Sequence, residues 1–259
     1  MTEVLQGKVV LITGAGAGIG LGMARAFHAA GALVAMGDLR QDTVERAAAD
    51  LGRERTFAGA IDVRDDASVR CFIAAAEQAL GPVTIAVANA GIYPTGAVLD
   101  MEIEEWDRVI ETNLRGTFLT CRAAARSMAT GGRPGKIITI SSGAYASARP
   151  GASHYCASKA GIVMFTKALA MELADRRINV NCIAPGYIQL DSAVPDSEFR
   201  RALLRNIPLG RFGTPADVAE IALFLASSAA DYVTGEVFAV NGGAFSGRMY
   251  LPLDTAAAQ

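Results

Sequence analysis

The stretch VVLITGAGAGIG, residues 9–20, constrains this chain more than any other. Its apolar, β-branched start reads as a buried strand, and the LGMARAFHAAG that follows reads as a helix stopped by Gly31. Four glycines fall within the seven residues from Gly14 to Gly20. A plain strand-to-helix turn needs only one or two. Glycine lets backbone and ligand approach closely, and the open N–H groups and dipole of a helix N-terminus favour an anion. Yet the strict spacing G-x-G-x-x-G is not met, since the sixth position is Ile19 counted from Gly14 and Leu21 counted from Gly16. The stretch reads as a nucleotide phosphate site with its own glycine spacing.

The rest of the chain repeats the strand-then-helix rhythm. Strands are expected at 8–13, 33–38, 56–62, 83–91, 136–142 and 178–186, with helices at about 18–30, 42–51, 66–80, 102–129 and 153–175. The long helix at 102–129 is expected to break near Thr112. Apolar strands alternating with helices define an α/β fold: a doubly wound parallel β-sheet of Rossmann type, helices on both faces, ligand crevice at the strands' carboxyl ends. No linker, charge block or repeat divides the sequence, so residues 1–259 read as a single domain. The polar, proline-bearing region 187–212 breaks the rhythm and reads as a substrate loop or lid with one short helix. A tail begins at about residue 246.

Composition removes other classes. A formal net charge of −2 gives no support for a nucleic-acid or anionic-membrane partner. No run approaches the roughly 18 apolar residues of a membrane span, and the start, MTEVLQGKVV, lacks a secretory pattern, so a cytoplasmic protein is expected. Cys71, Cys121, Cys156 and Cys182 are scattered, and the only histidines are His28 and His154. Nothing has metal-ligand spacing, so no metal is expected.

Asp38 ends the second strand, twenty positions beyond Gly18. An acidic side chain there can hydrogen-bond the adenosine ribose hydroxyls and repels a 2′-phosphate. NAD is therefore expected over NADP, although Arg40 could pair with that phosphate. Further along, YCASK sets Tyr155 and Lys159 at i and i+4 on one helix face. A tyrosine of ordinary pKa about 10 is a poor base at neutral pH, and a neighbouring ammonium favours its phenolate. Ser142 lies thirteen positions before Tyr155 at the carboxyl end of IITISS, where its hydroxyl could hold a substrate oxygen.

With these residues the sequence resembles the short-chain dehydrogenase/reductase family, along the chain to about residue 245. Thr13-Gly14-x-x-x-Gly18-x-Gly20 matches that family's T-G-x-x-x-G-x-G, which accounts for the glycine spacing. ANAG (88–91) matches its N-N-A-G with Ala88 in place of the first asparagine, and TNLRG (112–116) carries Asn113. APG (184–186) matches the P-G turn beside the nicotinamide, Asp62-Val63 the pair that meets the adenine, and YVTGEVFAVNGG (232–243) the last strand.

The resemblance implies a catalytic set of Asn113, Ser142, Tyr155 and Lys159. Tyr155 would be the acid/base, Ser142 would orient the oxygen, Lys159 would bind the nicotinamide ribose and lower the tyrosine pKa, and Asn113 would hold a relay water. The cofactor would meet Gly14, Gly16, Ala17, Gly18, Ile19 and Gly20 in the loop, Asp38 and Leu39 after the second strand, and Asp62 and Val63 after the third. It would meet Asn89, Ala90 and Gly91, then Tyr155 and Lys159, and finally Pro185, Gly186 and Ile188. A second departure is Leu190, where the family often has threonine, which leaves the nicotinamide to backbone near Ile188 or to Asp191.

Substrate contacts are expected from Ser142, Tyr93, Gly143, Ala144, His154 and Tyr187, with His154 turned about 100° from Tyr155 on the helix. The reading is an NAD-dependent oxidoreductase acting on a small-molecule alcohol or ketone: a sugar, polyol or small hydroxy compound. The alternatives are a 3-oxoacyl-thioester reductase and a non-catalytic NAD-binding sensor or scaffold. Alanine-rich helices at 113–129 and 153–173 could pack closely against a second copy, and the family resemblance implies assembly through them, so a homotetramer is expected, with a homodimer as the alternative.

Overall fold

The structure, a computed structural model, describes residues 5–190 and 197–246. The first half runs β1 (Val9–Thr13), α1 (Gly18–Ala29), β2 (Leu33–Asp38), α2 (Gln41–Leu51), β3 (Thr56–Ala60), α3 (Asp66–Leu80) and β4 (Val83–Ala88). It continues with α4 (Ile103–Ile110), α5 (Gly116–Thr130), β5 (Gly135–Ile140), α6 (Ser153–Leu173) and β6 (Ile178–Pro185). The last elements are α7 (Glu198–Leu204), α8 (Pro215–Ala226) and β7 (Val237–Val240). The strands form one parallel sheet of seven in the order β3-β2-β1-β4-β5-β6-β7. The order reverses beside β1, between β2 and β4, so the crevice opens at the carboxyl ends of β1 and β4.

Strand side chains alternate between two apolar cores. Val10 and Ile12 face α1, α2 and α8, where Met23, Phe27, Val44 and Val218 are buried. Val9 and Leu11 face α3, α5 and α6, where Phe72, Leu119 and Leu169 are buried. Fully buried strands explain why the sequence carries continuous apolar runs instead of an alternating pattern.

Several expected boundaries move for identifiable reasons. The strand expected at 83–91 ends at Ala88, where Asn89 turns its side chain to the Thr13 and Gly14 carbonyls. The strand expected at 56–62 ends at Ala60, and Asp62 instead holds Arg64. The break expected near Thr112 is a single π-turn, Glu111–Arg115, which joins α4 to α5 without interrupting the helix. Helix α8 lies outside the helices expected from the sequence. Its signal was present as Thr214-Pro215-Ala216-Asp217, a capping box with proline in the first turn. Of the expected lid, α7 is seen; residues 191–196, Asp191 included, and the tail from 247 lie outside the described residues. No helix among the described residues is long and apolar enough to cross a membrane.

Candidate active site

The glycine-rich turn is shaped by close approach. Gly14 and Gly18 adopt φ of +67° and +57°, which L side chains rarely do. A Cβ on Gly20 would run into the Gly14 carbonyl oxygen and stand 2.6 Å from Asn89 Nδ2. The residue preceding α1, Ala17, offers no side-chain cap, and the first turn of that helix holds no acid, so its N–H groups face the crevice open to an anion. By contrast, α8 is closed by Thr214 and Asp217. The loop is therefore a backbone cradle that fits a diphosphate.

Its supports come from neighbouring strands. Asp38 accepts the Gly16 N–H at 3.1 Å through one oxygen and the Arg40 N–H at 3.2 Å through the other. A carboxylate thus sits at the end of β2 beside the turn, and Leu39 and Arg40 are exposed next to it. Asn89 donates from Nδ2 to the Thr13 and Gly14 carbonyls at 2.9 and 3.2 Å. The Thr13 hydroxyl in turn accepts the N–H groups of Asn89 and Ala90, both at 3.1 Å. One asparagine is enough to tie β4 to β1, so Ala88 leaves this link intact. Asp62 is held by Arg64 at 2.7 Å, which keeps its carboxyl below the usual range, and its N–H reaches the Ser68 hydroxyl. Val63 lies buried against Gly116. On the far side, the Gly186 N–H binds the Val240 carbonyl and Ile188 bridges to Gly213. Leu190 reaches back over the turn, its Cδ1 only 3.4 Å from where a Gly18 Cβ would stand.

The four side chains expected to be catalytic meet at the carboxyl edge of β4 and β5. Lys159 is buried, donates from Nζ to the Ile140 carbonyl at 2.9 Å, and lies 5.6 Å from the centre of the Tyr155 ring. Burial pushes the Lys159 pKa down to about 8. Burial also raises that of Tyr155, against the opposing pull of a hydrogen bond with Ser142 and the charge of Arg149. Ser142 itself accepts the Ala144 N–H at 3.2 Å, which fixes the start of the loop after β5. Asn113 sits at the middle of the π-turn, fully buried. Its Oδ1 accepts the Ile92 N–H at 2.8 Å, and its Nδ2 donates to the Ile92 carbonyl and the Ser158 hydroxyl. A Cβ on Gly91 would stand 3.2 Å from Asn113 Oδ1 and 3.6 Å from Lys159 Nζ. The structure thus brings Asn113, Ser142, Tyr155 and Lys159 to one edge, against Gly91.

Of the expected substrate contacts, Gly143 and Ala144 follow Ser142 directly, Tyr93 is exposed after β4, and Tyr187 follows Gly186. His154 points elsewhere. It is fully buried under α4, stacked on Trp106 with ring centres 6.4 Å apart, and its Nε2 is 3.4 Å from Glu105. The cause is the helical rotation between adjacent residues: with Tyr155 at the crevice, position 154 faces the packing side. Two residues were missed. Thr13 supports the turn, a role readable from its place in the glycine motif. Phe245 lies on Gly143 and near Tyr187, with ring centres 6.2 Å apart; no local pattern announces that long-range contact. Among the described residues no three His, Cys, Asp or Glu side chains gather as a metal site.

A doubly wound sheet with an open glycine cradle at its switch point defines a Rossmann-type nucleotide-binding protein. Comparison with known proteins narrows the class. A family model described as Enoyl-(Acyl carrier protein) reductase matches residues 14–244. Nodulation protein G of Rhizobium sp. (strain N33) is 42% identical over 243 residues, 92% of this chain and 97% of that protein. The 3-oxoacyl-[acyl-carrier-protein] reductase FabG of Chlamydia muridarum is 38% identical over 248 residues, 94% of this chain and 99% of that protein. A short-chain type dehydrogenase/reductase from Mycobacterium marinum superposes with a TM-score of 0.89 at 39% identity, covering 94% of this chain and 97% of that one. The chain belongs to the short-chain dehydrogenase/reductase family. It is an oxidoreductase that acts on CH–OH or carbonyl groups with a nicotinamide cofactor.

Proposed function

We propose that this oxidoreductase prefers NAD and interconverts a secondary alcohol with its ketone, the substrate being a sugar, polyol or small hydroxy compound. The observation that carries the reading is Tyr155 set beside Ser142, with the buried Lys159 Nζ 5.6 Å from its ring centre, at the sheet edge beside the glycine cradle. The bound nicotinamide supplies the hydride acceptor or donor. The chain's residues manage the oxygen and its proton. Ser142 holds the substrate oxygen beside the Tyr155 hydroxyl; Tyr155 takes the alcohol proton in oxidation and returns one to the carbonyl oxygen in reduction. Burial opposes the phenolate, and the Lys159 ammonium, 5.6 Å from the ring centre, would favour it. Asn113, bonded to Ile92 and Ser158, fixes the wall beside Lys159, where a water would relay protons to solvent.

Asp38 supports NAD, because its fixed carboxylate repels a 2′-phosphate while suiting ribose hydroxyls. The loop Gly14–Gly20 would take the diphosphate, Leu39, Asp62 and Val63 the adenine side, and Asn89, Ala90, Gly91, Pro185, Gly186 and Ile188 the nicotinamide side. Self-association through α5 and α6 belongs to the same reading: Phe118, Met164 and Met171 are exposed there, at 39%, 66% and 83%.

A second reading, reduction of 3-oxoacyl thioesters, is favoured by the relatives named for that reaction. A panel of sugars, polyols and secondary alcohols with NAD or NADP, set against acetoacetyl thioester with NADH or NADPH, separates the two. Turnover of one alcohol class with NAD supports the first; thioester reduction with silence on every alcohol supports the second.

A further inference from the structure

Phe245 is carried by the turn that follows β7, and that turn is tightly fixed. Gly242 and Gly243 have φ of +60° and +86°, and a Cβ on either would stand 2.8 Å from Ile207 or Pro208 respectively. The Asn241 side chain accepts the Gly243 N–H at 2.9 Å, and the Leu209 N–H binds the Gly242 carbonyl at 3.1 Å. This turn directs Phe245 back to the loop after β5. A Cβ on Gly143 would stand 2.5 Å from Cδ2 and 2.7 Å from Cζ of the Phe245 ring, and nearer still to Cε2. Gly143 adjoins Ser142, whose hydroxyl accepts the Ala144 N–H at 3.2 Å. An aromatic ring from a distant part of the chain therefore covers the backbone next to Ser142, with Tyr187 beside it.

We infer that Phe245 is a specificity-determining residue, and that its ring is an apolar wall limiting the size of one substituent on the reacting carbon. The substrate class is then a secondary alcohol or ketone with one small apolar substituent. The inference rests on the alcohol–ketone reading above and narrows it. Apolar pockets discriminate by volume, with about tenfold or more per added methylene. The bare Gly143 and the ring above it form one unit, so neither can be enlarged alone.

The test is kcat/KM with NADH for ketones that share one substituent while the other grows from methyl to ethyl, propyl and phenyl. It uses the full chain, Phe245→Ala, Gly143→Ala and the double variant, with NADH affinity and Tm measured for each. The unaltered chain should lose about tenfold per step, and Phe245→Ala should flatten the series with NADH affinity unchanged. Gly143→Ala should lower Tm only while Phe245 is present. A Phe245→Ala series parallel to that of the unaltered chain overturns this inference alone. No turnover of any ketone by the unaltered chain, with NADH still bound, overturns the alcohol–ketone reading and this inference together.

Discussion

Tyr155 and Lys159 feel burial in opposite senses, and both consequences can be measured. Burial lowers Lys159 from 10.5 to about 8. Between those values the unfolded chain keeps the proton that the folded chain has lost, so this group makes stability rise with pH there. Below about pH 8 the full penalty of the buried ammonium is present. Tyr155, raised above its ordinary 10, acts the other way: above that pH the unfolded phenol ionises first and stability falls. In ligand-free protein, Lys159→Met should therefore raise Tm at pH 7 and remove the lysine-linked rise that begins near pH 8. Thermal unfolding from pH 7 to 10 checks this, and parallel curves for the two proteins would contradict it. Asp38 makes a separate claim at the same scale. Asp38→Ala should lower the ratio of kcat/KM with NAD to that with NADP by about tenfold, roughly 1.4 kcal/mol. An unmoved ratio would mean that some other group sets the preference.

At the level of elements, the sequence carried the local features and not the long-range ones. The β1–glycine–α1 unit was legible because a buried strand, a glycine-rich turn and an uncapped helix are all written within 21 consecutive residues, 9–29. The helix expected at about 66–80 matches Asp66–Leu80, which Asp65 caps and Gly81 ends. The π-turn was read as a break, because an extra residue in one turn disturbs the apolar periodicity without changing composition. Packing contacts such as Trp106 on His154, or Phe245 on Gly143, depend on elements far apart in sequence and leave no local trace. The Asn89 clasp is intermediate, visible as a motif residue but with its role defined only by the Thr13 and Gly14 carbonyls it reaches. Asn89→Ala should leave the Thr13 and Gly14 carbonyls without that donor, costing about 1–3 kcal/mol. It should also weaken NADH binding, because the same bonds hold the cradle. Tm and fluorescence titration measure both effects; a loss of stability with unchanged NADH affinity would separate the clasp from the cradle.

For the whole molecule, a parallel sheet covered by helices on both faces leaves the outer faces of those helices, apart from the crevice and its loops, for contact with a second copy. On α5 and α6 those faces carry Phe118 and Phe165, packed edge to face at 5.9 Å, with the Arg122 guanidinium over Phe118. If copies associate there, Met171→Glu should reduce the mass seen by light scattering by half or more, while the monomer keeps its helical signal. A full-sized assembly in that variant would move the interface elsewhere. The catalytic account itself turns on Tyr155. The most direct measurement is steady-state turnover by Tyr155→Phe on the substrate identified by the panel, alongside its NADH affinity. The account predicts a fall in kcat of about 10²–10⁴ with NADH affinity retained. Turnover near that of the unaltered chain would show that the proton passes through another group.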